Sequence, residues 1–235
     1  MIFDLDGVVT RTAALHAAAW KRLFDEYLAA VAERRGEPFR PFELESDYRR
    51  FVDGKPRYEG VASFLASRGI ELPRGSPDDP PERETVCGLG NRKNRYFRAE
   101  LTSKGGDPYP TTLALIEALR ARGVRTAVVS SSRNCEAVLD AAGIRDLFEV
   151  KVDGVDAEEL GLPGKPDPAV FLEAAGRLGV RPANAAVVED AIAGVEAGRR
   201  GGFGLVVGVD RASQHDALAA AGADVVVRDL GELAA

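Results

Sequence analysis

The chain has few of the residues that build disulfide frameworks or zinc sites. Its 235 residues contain two cysteines, Cys87 and Cys135, and two histidines, His16 and His215. A disulfide scaffold needs several paired cysteines, and a structural zinc site needs a set of cysteine and histidine ligands at short spacings. Neither class fits, and a chain of this length can bury a core without such crosslinks. The cysteines are therefore expected to be reduced thiols in a cytoplasmic protein.

Long apolar runs and an excess of positive charge are also missing. No run of apolar residues reaches the length of about 18 that a membrane-spanning helix needs. The start of the chain contains Asp4 and Asp6 and no basic residue before them, which is not the pattern of a secretory signal peptide. The formal net charge of −6 argues against a nucleic acid or an anionic membrane as the partner. We therefore expect a monomer whose partner is a small molecule.

From Tyr109 onward, apolar strand-like runs alternate regularly with amphipathic stretches. Strict alternation of this kind predicts right-handed crossovers and a Rossmann-like parallel sheet of the α/β class. Ligands of such sheets bind beyond the carboxyl ends of the strands. The predicted strands cover 1–3, 125–129, 148–152, 185–188, 205–209 and 224–227, and the predicted helices cover 111–122, 134–142, 168–178, 191–200 and 213–221.

The segment 12–108 has a different character, because it carries helical periodicity without strand-like runs. An all-helical insertion after the first strand of an α/β sheet predicts a separate lobe with hinges at its two crossings. We therefore expect a core domain of residues 1–11 and 109–235 and a helical cap domain of residues 12–108. The helices predicted in the cap cover about 15–31, 58–68 and 83–100.

Two aspartates, Asp4 and Asp6, follow the first predicted strand directly. The period of two along a strand places both side chains on the same side. Adjacent carboxylates repel each other, so they need a cation or a proton held on one of them. The pair therefore predicts a metal site or a nucleophile with a general acid, although an isolated pair is more often a solvated turn. In the catalytic interpretation, Asp4 attacks phosphorus and Asp6 transfers the proton.

Further polar residues follow later strands and are expected to meet the aspartates at one edge of the sheet. Glu189 and Asp190 follow the fourth predicted strand, and carboxylates that converge on one point indicate Mg²⁺ when all donors are oxygen. Ser130 ends the second strand, where hydroxyl and backbone N–H groups bind anions. Lys165 lies in a Gly-Lys-Pro loop, and its positive charge could neutralise a phosphoryl group. The structural alternatives are a helix N-cap for the serine and the acid pair, and a solvated lysine.

Two helical patterns in the insertion carry polar residues that could serve a site. His16 and Trp20 lie four residues apart and share one helix face, which is typical of ordinary packing within a lobe. Lys93 lies in the basic run 91–95, which is typical of a solvated helix face. Neither pattern predicts a function without the motifs at the strand ends.

The order of the motifs resembles that of the haloacid dehalogenase superfamily of phosphotransferases. The motifs are Asp-x-Asp-Gly-x-x-Thr at 4–10, a serine at a strand end, a Lys-Pro loop and a pair of acids at another strand end. The resemblance extends over essentially the whole chain, and the insertion is similar to the helical cap of the β-phosphoglucomutase group. The likeness to this group rests on Thr12, His16 and Trp20, on the segments 54–57 and 92–94, and, in the core, on the serine-rich segment 130–134, which ends in Asn134.

The resemblance implies a role for each of these positions. Asp4 is phosphorylated and Asp6 shuttles the proton. Arg57 binds the distal phosphate of a bisphosphate sugar. His16 and Lys93 help to close the cap over the site. The implied ligands of Mg²⁺ are Asp4, the backbone carbonyl of Asp6, Glu189 and Asp190. The implied phosphate ligands are Ser130, Ser131, Asn134 and Lys165, and the implied substrate and cap residues are Thr12, His16, Trp20, Arg57 and Lys93.

The activity implied by the resemblance is a Mg²⁺-dependent mutase. It converts β-D-glucose 1-phosphate into glucose 6-phosphate through an aspartyl phosphate and a 1,6-bisphosphate. A sugar-phosphate phosphatase, in which water takes the phosphoryl group, is the main alternative, and a non-catalytic anion-binding protein is a third. A 2-haloacid dehalogenase is disfavoured, because that group generally lacks the aspartate that stands at position 6.

Three features depart from the pattern of the β-phosphoglucomutase group. Arg11 replaces an acid, Arg133 replaces a lysine, and the cap is enlarged between Gly69 and Arg83. The enlargement predicts a sugar pocket of different shape. Only three residues precede Asp4, which leaves an upstream start codon open.

Overall fold

The computed structural model describes residues 1–233 and divides the chain into two compact units. Residues 1–12 and those from 106 onward form the core unit, and residues 13–105 form the inserted unit. Each unit has its own cluster of buried apolar side chains. Among residues 1–233, no helix combines the length and the apolar character that crossing a membrane requires.

The described part of the core unit forms a sheet of six parallel strands. In chain order they are β1 (Ile2–Asp4), β2 (Ala127–Val129), β3 (Val150–Val152), β4 (Ala186–Glu189), β5 (Leu205–Val209) and β6 (Val225–Val227). The strand order is β3-β2-β1-β4-β5-β6, so the predicted Rossmann-like parallel sheet is confirmed. The direction of strand addition reverses between β1 and β4, and doubly wound sheets bind their ligands at this position.

An aromatic cluster forms the centre of the inserted unit. The ring of Phe24 lies 5.0 Å from that of Phe42 and 4.2 Å from that of Phe64, and Trp20 stacks on Phe24. The apolar stripe of the first helix supplies two of these rings, which explains the helical periodicity of the sequence there. The helices of this unit are α1 (Ala13–Arg35), a π-helix (Leu44–Val52), α2 (Arg57–Ser67) and α3 (Val86–Lys104).

The third helix of the inserted unit begins and ends later than its sequence pattern predicts. The pattern predicts 83–100, whereas the helix covers Val86–Lys104. Thr85 is the N-cap, and its Oγ1 accepts a hydrogen bond of 2.9 Å from the backbone N of Gly88. The segment 68–85 before it contains neither helix nor strand.

The α-helices in the described part of the core unit lie where the sequence predicts them, with one addition after β3. There the carboxylate of Asp153 accepts a hydrogen bond from the backbone N of Asp156, and the carboxylate of Asp156 accepts one from the backbone N of Asp153, which together form a capping box. A helix this short has no periodic apolar pattern that would predict it. The helices are α4 (Pro110–Ala121), α5 (Cys135–Ala142), α6 (Gly154–Glu159), α7 (Ala169–Arg177), α8 (Ile192–Arg200) and α9 (His215–Ala221).

Candidate active site

Asp4 lies at the end of β1 and is buried beside a lysine. The Nζ atom of Lys165 donates hydrogen bonds to Oδ1 of Asp4 and to Oε1 of Glu189, each at 2.5 Å. Each of these three side chains is less than a tenth exposed. A solvated lysine is therefore the wrong description of Lys165, and part of the positive charge that the carboxylates need comes from within the chain.

The charges of this cluster shift the proton affinities of its members. Burial raises the pKa of Asp4 well above its ordinary value, Lys165 opposes this increase, and the carboxylate of Glu189 adds to it. Burial alone would lower the pKa of Lys165, but the charges of Asp4 and Glu189 outweigh burial and raise it. The lysine therefore stays protonated. One lysine among several carboxylates leaves the cluster short of positive charge, which suits a divalent cation.

Three carboxylates of the core unit have the arrangement of a metal site. Oxygen atoms of Asp4, Glu189 and Asp190 lie within 4.8 Å of one another. All donors are hard oxygen atoms, which is the set that Mg²⁺ prefers, so the residues fit this ion. Glu189 also orders the start of α8, because its Oε2 accepts a hydrogen bond of 2.8 Å from the backbone N of Ala191. Glu189 can thus order the backbone before a helix and also lie in a metal site.

The position of Asp190 depends on the glycine of the Asp-x-Asp-Gly motif and on two residues that the sequence patterns do not single out. Gly7 has a φ of +93°, and a Cβ atom there would overlap the carboxylate of Asp190. The backbone O of Asp190 accepts a hydrogen bond of 2.9 Å from Nε2 of Gln214, and Nε of Arg211 donates to the backbone O of Gly7 at 3.0 Å. Gln214 and Arg211 come from the loop after β5, whose composition carries no recognisable motif. Only the glycine could have been found, because it belongs to the Asp-x-Asp-Gly pattern.

Asp6 is held by two hydroxyl groups and contacts the first aspartate through its backbone. Its Oδ1 accepts a hydrogen bond of 2.5 Å from Oγ1 of Thr12, and its Oδ2 accepts one of 3.0 Å from Oγ of Ser130. Its backbone N donates to Oδ2 of Asp4 at 2.9 Å. Thr12, which the sequence assigns to the cap, lies in the core unit and is buried. Donors therefore orient both oxygens of the Asp6 carboxylate, as proton transfer at a fixed point requires.

The loop after β2 forms a compact turn at the start of α5. Oγ of Ser130 accepts a hydrogen bond of 3.0 Å from the backbone N of Ser132, and Oγ of Ser132 accepts one of 3.1 Å from the backbone N of Asn134. Asn134 is the N-cap of α5. Gly154 packs so closely on this loop that a Cβ atom there would lie 2.9 Å from the backbone O of Ser131. The serine-rich turn is thus both a helix start and a set of polar groups beside the second aspartate.

In the inserted unit, the structure brings His16, Trp20 and Lys93 together. The Nζ atom of Lys93 lies 2.5 Å from Nδ1 of His16 and 4.9 Å from the centre of the Trp20 ring. The ring of His16 stacks on Phe97 with a centroid distance of 4.0 Å. Lys93 is buried, so a solvated helix face is the wrong description of this position.

Arg57 contacts a different set of residues in the inserted unit. It is the first residue of α2, and its Nη1 donates to Oδ1 of Asn91 at 3.5 Å. Its guanidinium lies 5.4 Å from the centre of the Tyr58 ring. A guanidinium at this half-buried position has the charge and the donor geometry that bind a phosphate group.

Replacing Lys165 with methionine should destabilise the core unit strongly. The change leaves Asp4 and Glu189 buried without their lysine, and loss of one partner of a buried ion pair costs about 3–5 kcal/mol. Without Lys165, the pKa of the buried Asp4 carboxyl would rise further, and this group would bind a proton in the folded state. The loss of stability should therefore be greatest at high pH and should decrease as the pH falls toward about 5. Denaturant unfolding in a metal-free buffer at several pH values measures this effect.

Lys104→Met is the matched control for this experiment. Lys104 is exposed at the end of α3 and pairs with Glu100 on the surface of the same helix. Pairs of this kind contribute about 0.3–0.5 kcal/mol to stability. Equal losses of stability in the two variants would contradict the structural role of Lys165.

The chain is similar to known proteins over nearly its full length. A family described as haloacid dehalogenase-like hydrolase matches residues 1–202. A protein of Mycobacterium bovis named beta-phosphoglucomutase is 52% identical over 235 residues, which cover 99% of this chain and 90% of that protein. A beta-phosphoglucomutase of Bacillus subtilis is 33% identical over 233 residues, which again cover 99% of this chain and 90% of that protein.

A solved structure has the same fold. The crystal structure of beta-phosphoglucomutase from Clostridium difficile matches with a TM-score of 0.77 and 27% sequence identity, covering 99% of this chain and 91% of that one. The residues matched by the family include Asp4, Lys165 and Asp190. The resemblance drawn from the motifs is therefore confirmed, and the chain belongs to the haloacid dehalogenase-like hydrolase family.

Proposed function

We propose that the protein is a phosphosugar mutase that converts β-D-glucose 1-phosphate into glucose 6-phosphate. The observation that carries this proposal is a buried nucleophile, Asp4, which accepts hydrogen bonds from Lys165 and from the backbone N of a second aspartate, Asp6. The choice of reaction is supported by the 52% identical relative, which is named for this activity.

In the proposed reaction, an oxygen of the Asp4 carboxylate attacks a phosphorus atom of a sugar bisphosphate. The new bond joins that oxygen to phosphorus, the bond from phosphorus to the sugar oxygen breaks, and the sugar oxygen takes a proton from Asp6. In the second half of the cycle, Asp6 removes the proton of a sugar hydroxyl, which attacks the aspartyl phosphate and regenerates the carboxylate. Lys165 and Ser130 hold the phosphoryl group between these steps.

We propose that the core unit holds Mg²⁺ with carboxylates of Asp4, Glu189 and Asp190 and with the backbone carbonyl of Asp6. When bound, the ion supplies positive charge that reduces the repulsion between the nucleophile and the phosphoryl oxygens. Three carboxylates within 4.8 Å of one another support this proposal. The loop after β2 is proposed to add polar contacts to the phosphoryl group, from Ser131 and Asn134.

We propose that the inserted unit acts as a cap that binds the sugar and keeps water away from the aspartyl phosphate. A mutase needs this exclusion, because water competes with the sugar hydroxyl for the phosphoryl group. Arg57 binds the phosphate that is not transferred. Thr12 orients Asp6, the residue that transfers the proton. The other proposed substrate residues are His16, Trp20 and Lys93. A cytoplasmic location and a monomeric state stay predictions.

A time course followed by phosphorus NMR tests the proposed reaction. The protein is incubated with β-D-glucose 1-phosphate, Mg²⁺ and a trace of the 1,6-bisphosphate. A mutase accumulates glucose 6-phosphate without an equal release of inorganic phosphate. Release of inorganic phosphate alone would replace the proposal with a sugar-phosphate phosphatase, and no change in either signal would indicate a non-catalytic anion-binding protein.

Replacing Arg57 with alanine should weaken sugar-phosphate binding far more than phosphoryl transfer to water. Loss of a charged donor to a phosphate corresponds to about a hundredfold in affinity, so KM for β-D-glucose 1-phosphate should rise by about that factor. The ratio of mutase to hydrolysis should fall, because a poorly held sugar competes less well with water. Kinetic assays with this sugar phosphate measure the first effect. Assays with p-nitrophenyl phosphate measure the second, because its one phosphate group is the group that is transferred.

Arg98→Ala is the matched control, because Arg98 is an exposed arginine on α3. Both activities of this variant should equal those of the unmodified protein. A mutase-to-hydrolysis ratio that is the same in Arg57→Ala would remove the assignment of Arg57.

A further inference from the structure

Asn91 lies on α3 and has a side-chain amide whose direction is fixed by the preceding loop. Its Nδ2 donates hydrogen bonds to the backbone O of Pro77 at 2.8 Å and to that of Asp79 at 2.9 Å. The two N–H donors of the amide are thus directed at carbonyl groups, which accept and cannot donate. The acceptor Oδ1 must therefore point to the other side, toward the start of α2.

The opposite side of the same amide meets two donors at the start of α2. The hydroxyl of Tyr58 donates to Oδ1 of Asn91 at 3.0 Å, and Nη1 of Arg57 donates to it at 3.5 Å. The guanidinium of Arg57 also lies over the Tyr58 ring. Asn91 thus connects the segment 72–85, called here the 72–85 loop, to the arginine that is proposed to bind phosphate.

Two glycines on α3 permit these close contacts. A Cβ atom at Gly90 would lie 2.7 and 2.8 Å from two ring atoms of Tyr58 and 3.4 Å from Cδ of Arg57. A Cβ atom at Gly88 would overlap the backbone O of Arg83 in the 72–85 loop. Glycine is normally unfavourable inside a helix, so two of them at the first turns indicate that close approach matters here.

The 72–85 loop has an internal support of its own. The carboxylate of Asp79 is buried and accepts hydrogen bonds from Oγ1 of Thr85 at 2.6 Å and from Nη1 of Arg83 at 2.7 Å. It also accepts one of 3.2 Å from the backbone N of Ser76. These contacts fix the backbone around Asp79, and with it the carbonyl groups that hold Asn91.

From these contacts we propose that Asn91 is a positioning residue that directs Arg57 toward the phosphate that is not transferred. The proposal rests on the function proposed above for Arg57. A long side chain binds a phosphate more tightly when its rotamers are restricted before the ligand arrives. This role would also explain the enlarged part of the inserted unit, because the 72–85 loop holds the Asn91 amide, which restricts the rotamers of Arg57.

A double-mutant cycle on Asn91 and Arg57 tests this proposal, with KM for β-D-glucose 1-phosphate as the readout. Asn91→Ala should raise KM by about tenfold, the effect of one hydrogen bond to a charged group. If Asn91 acts through Arg57, the same change should add no further increase to the KM of Arg57→Ala. Multiplicative effects in the double variant, or an unchanged KM in Asn91→Ala, would overturn the proposal.

Asn184→Ala is the matched control for the cycle. Asn184 is an exposed asparagine of the core unit, between α7 and β4, so its KM should change by less than about twofold. The single tryptophan, Trp20, is buried in the inserted unit, and its fluorescence reports whether that unit is folded. If Asn91→Ala alters this emission, Asn91→Ser replaces it. Serine keeps a polar group at this position, but its side chain is one bond too short to hold Arg57 as Asn91 does, so it should raise KM by about the same factor.

The outcomes separate this inference from the proposed function. An unchanged KM in Arg57→Ala would reject the proposed role of Arg57 and the inference with it. A raised KM in Arg57→Ala together with a normal KM in the Asn91 variants would reject the inference alone.

Discussion

Replacing Asp4 with asparagine should lower both mutase turnover and hydrolysis of p-nitrophenyl phosphate by at least about ten-thousandfold. An amide cannot form the acyl phosphate that a carboxylate forms, and both reactions are proposed to pass through that intermediate. The side chain keeps its size, and its oxygen can still accept a hydrogen bond from Lys165, so the variant should fold. Steady-state assays with the two substrates measure the loss.

Asp140→Asn is the matched control, because Asp140 is an exposed aspartate on α5. Its activities should stay within about twofold of those of the unmodified protein. Residual turnover above about a thousandth of normal in Asp4→Asn, with either substrate, would contradict the assignment of the nucleophile.

Replacing Asp6 with alanine should slow the mutase reaction by about 10²–10⁴-fold, because a sugar oxygen leaves poorly without a proton. The loss should be much smaller for phosphorylation of the protein by p-nitrophenyl phosphate, whose leaving group is stable as an anion. Binding of Mg²⁺, measured by titration calorimetry, should be weakened less than turnover. The reason is that the proposed contact of Asp6 with the ion uses its backbone carbonyl.

Asp6→Asn is the companion to this variant. Asparagine keeps the size of the side chain and an oxygen that can accept from Thr12 or Ser130, but it cannot transfer a proton. It should therefore lose as much mutase activity as alanine. Near-normal turnover in Asp6→Asn, or equal losses with the sugar and the nitrophenyl substrate in Asp6→Ala, would contradict the role in proton transfer.

The centre of the site could be predicted because its residues carry local signals. Asp4, Ser130 and Glu189 each stand at the end of a short apolar run in the sequence. Parallel strands bring their carboxyl ends to one edge of a sheet, whatever loops connect them. The structure has these residues at the ends of β1, β2 and β4, which are neighbours in the sheet.

The burial of Lys165 could not be predicted from the local sequence pattern. It stands in a loop between glycine and proline, where a lysine is typically solvated. Its burial depends on carboxylates 161 and 24 residues away in the chain, which no pattern within the loop reveals. Only the order of the motifs, taken with the resemblance, indicated a role for it.

The contacts around Arg57 could not be predicted at all. Asn91 accepts one side-chain hydrogen bond from this arginine, and it donates to backbone carbonyl groups of an irregular loop. The conformation of that loop depends on the buried carboxylate of Asp79. No helical or strand periodicity in the sequence indicates that this carboxylate is buried. The α3 N-cap is different, because a threonine at position 85 before a helical run is a recognisable start signal.

The most direct measurement locates the phosphoryl group on the chain during turnover. The protein is mixed with glucose 1,6-bisphosphate and Mg²⁺, quenched and reduced with borohydride, which converts an aspartyl phosphate into homoserine. Mass spectrometry of the peptide that contains residues 1–11 then identifies the modified position. We expect homoserine at position 4 and unmodified aspartate at position 6. Modification at position 6, or an unmodified Asp4 in protein that is turning over, would contradict the proposed mechanism.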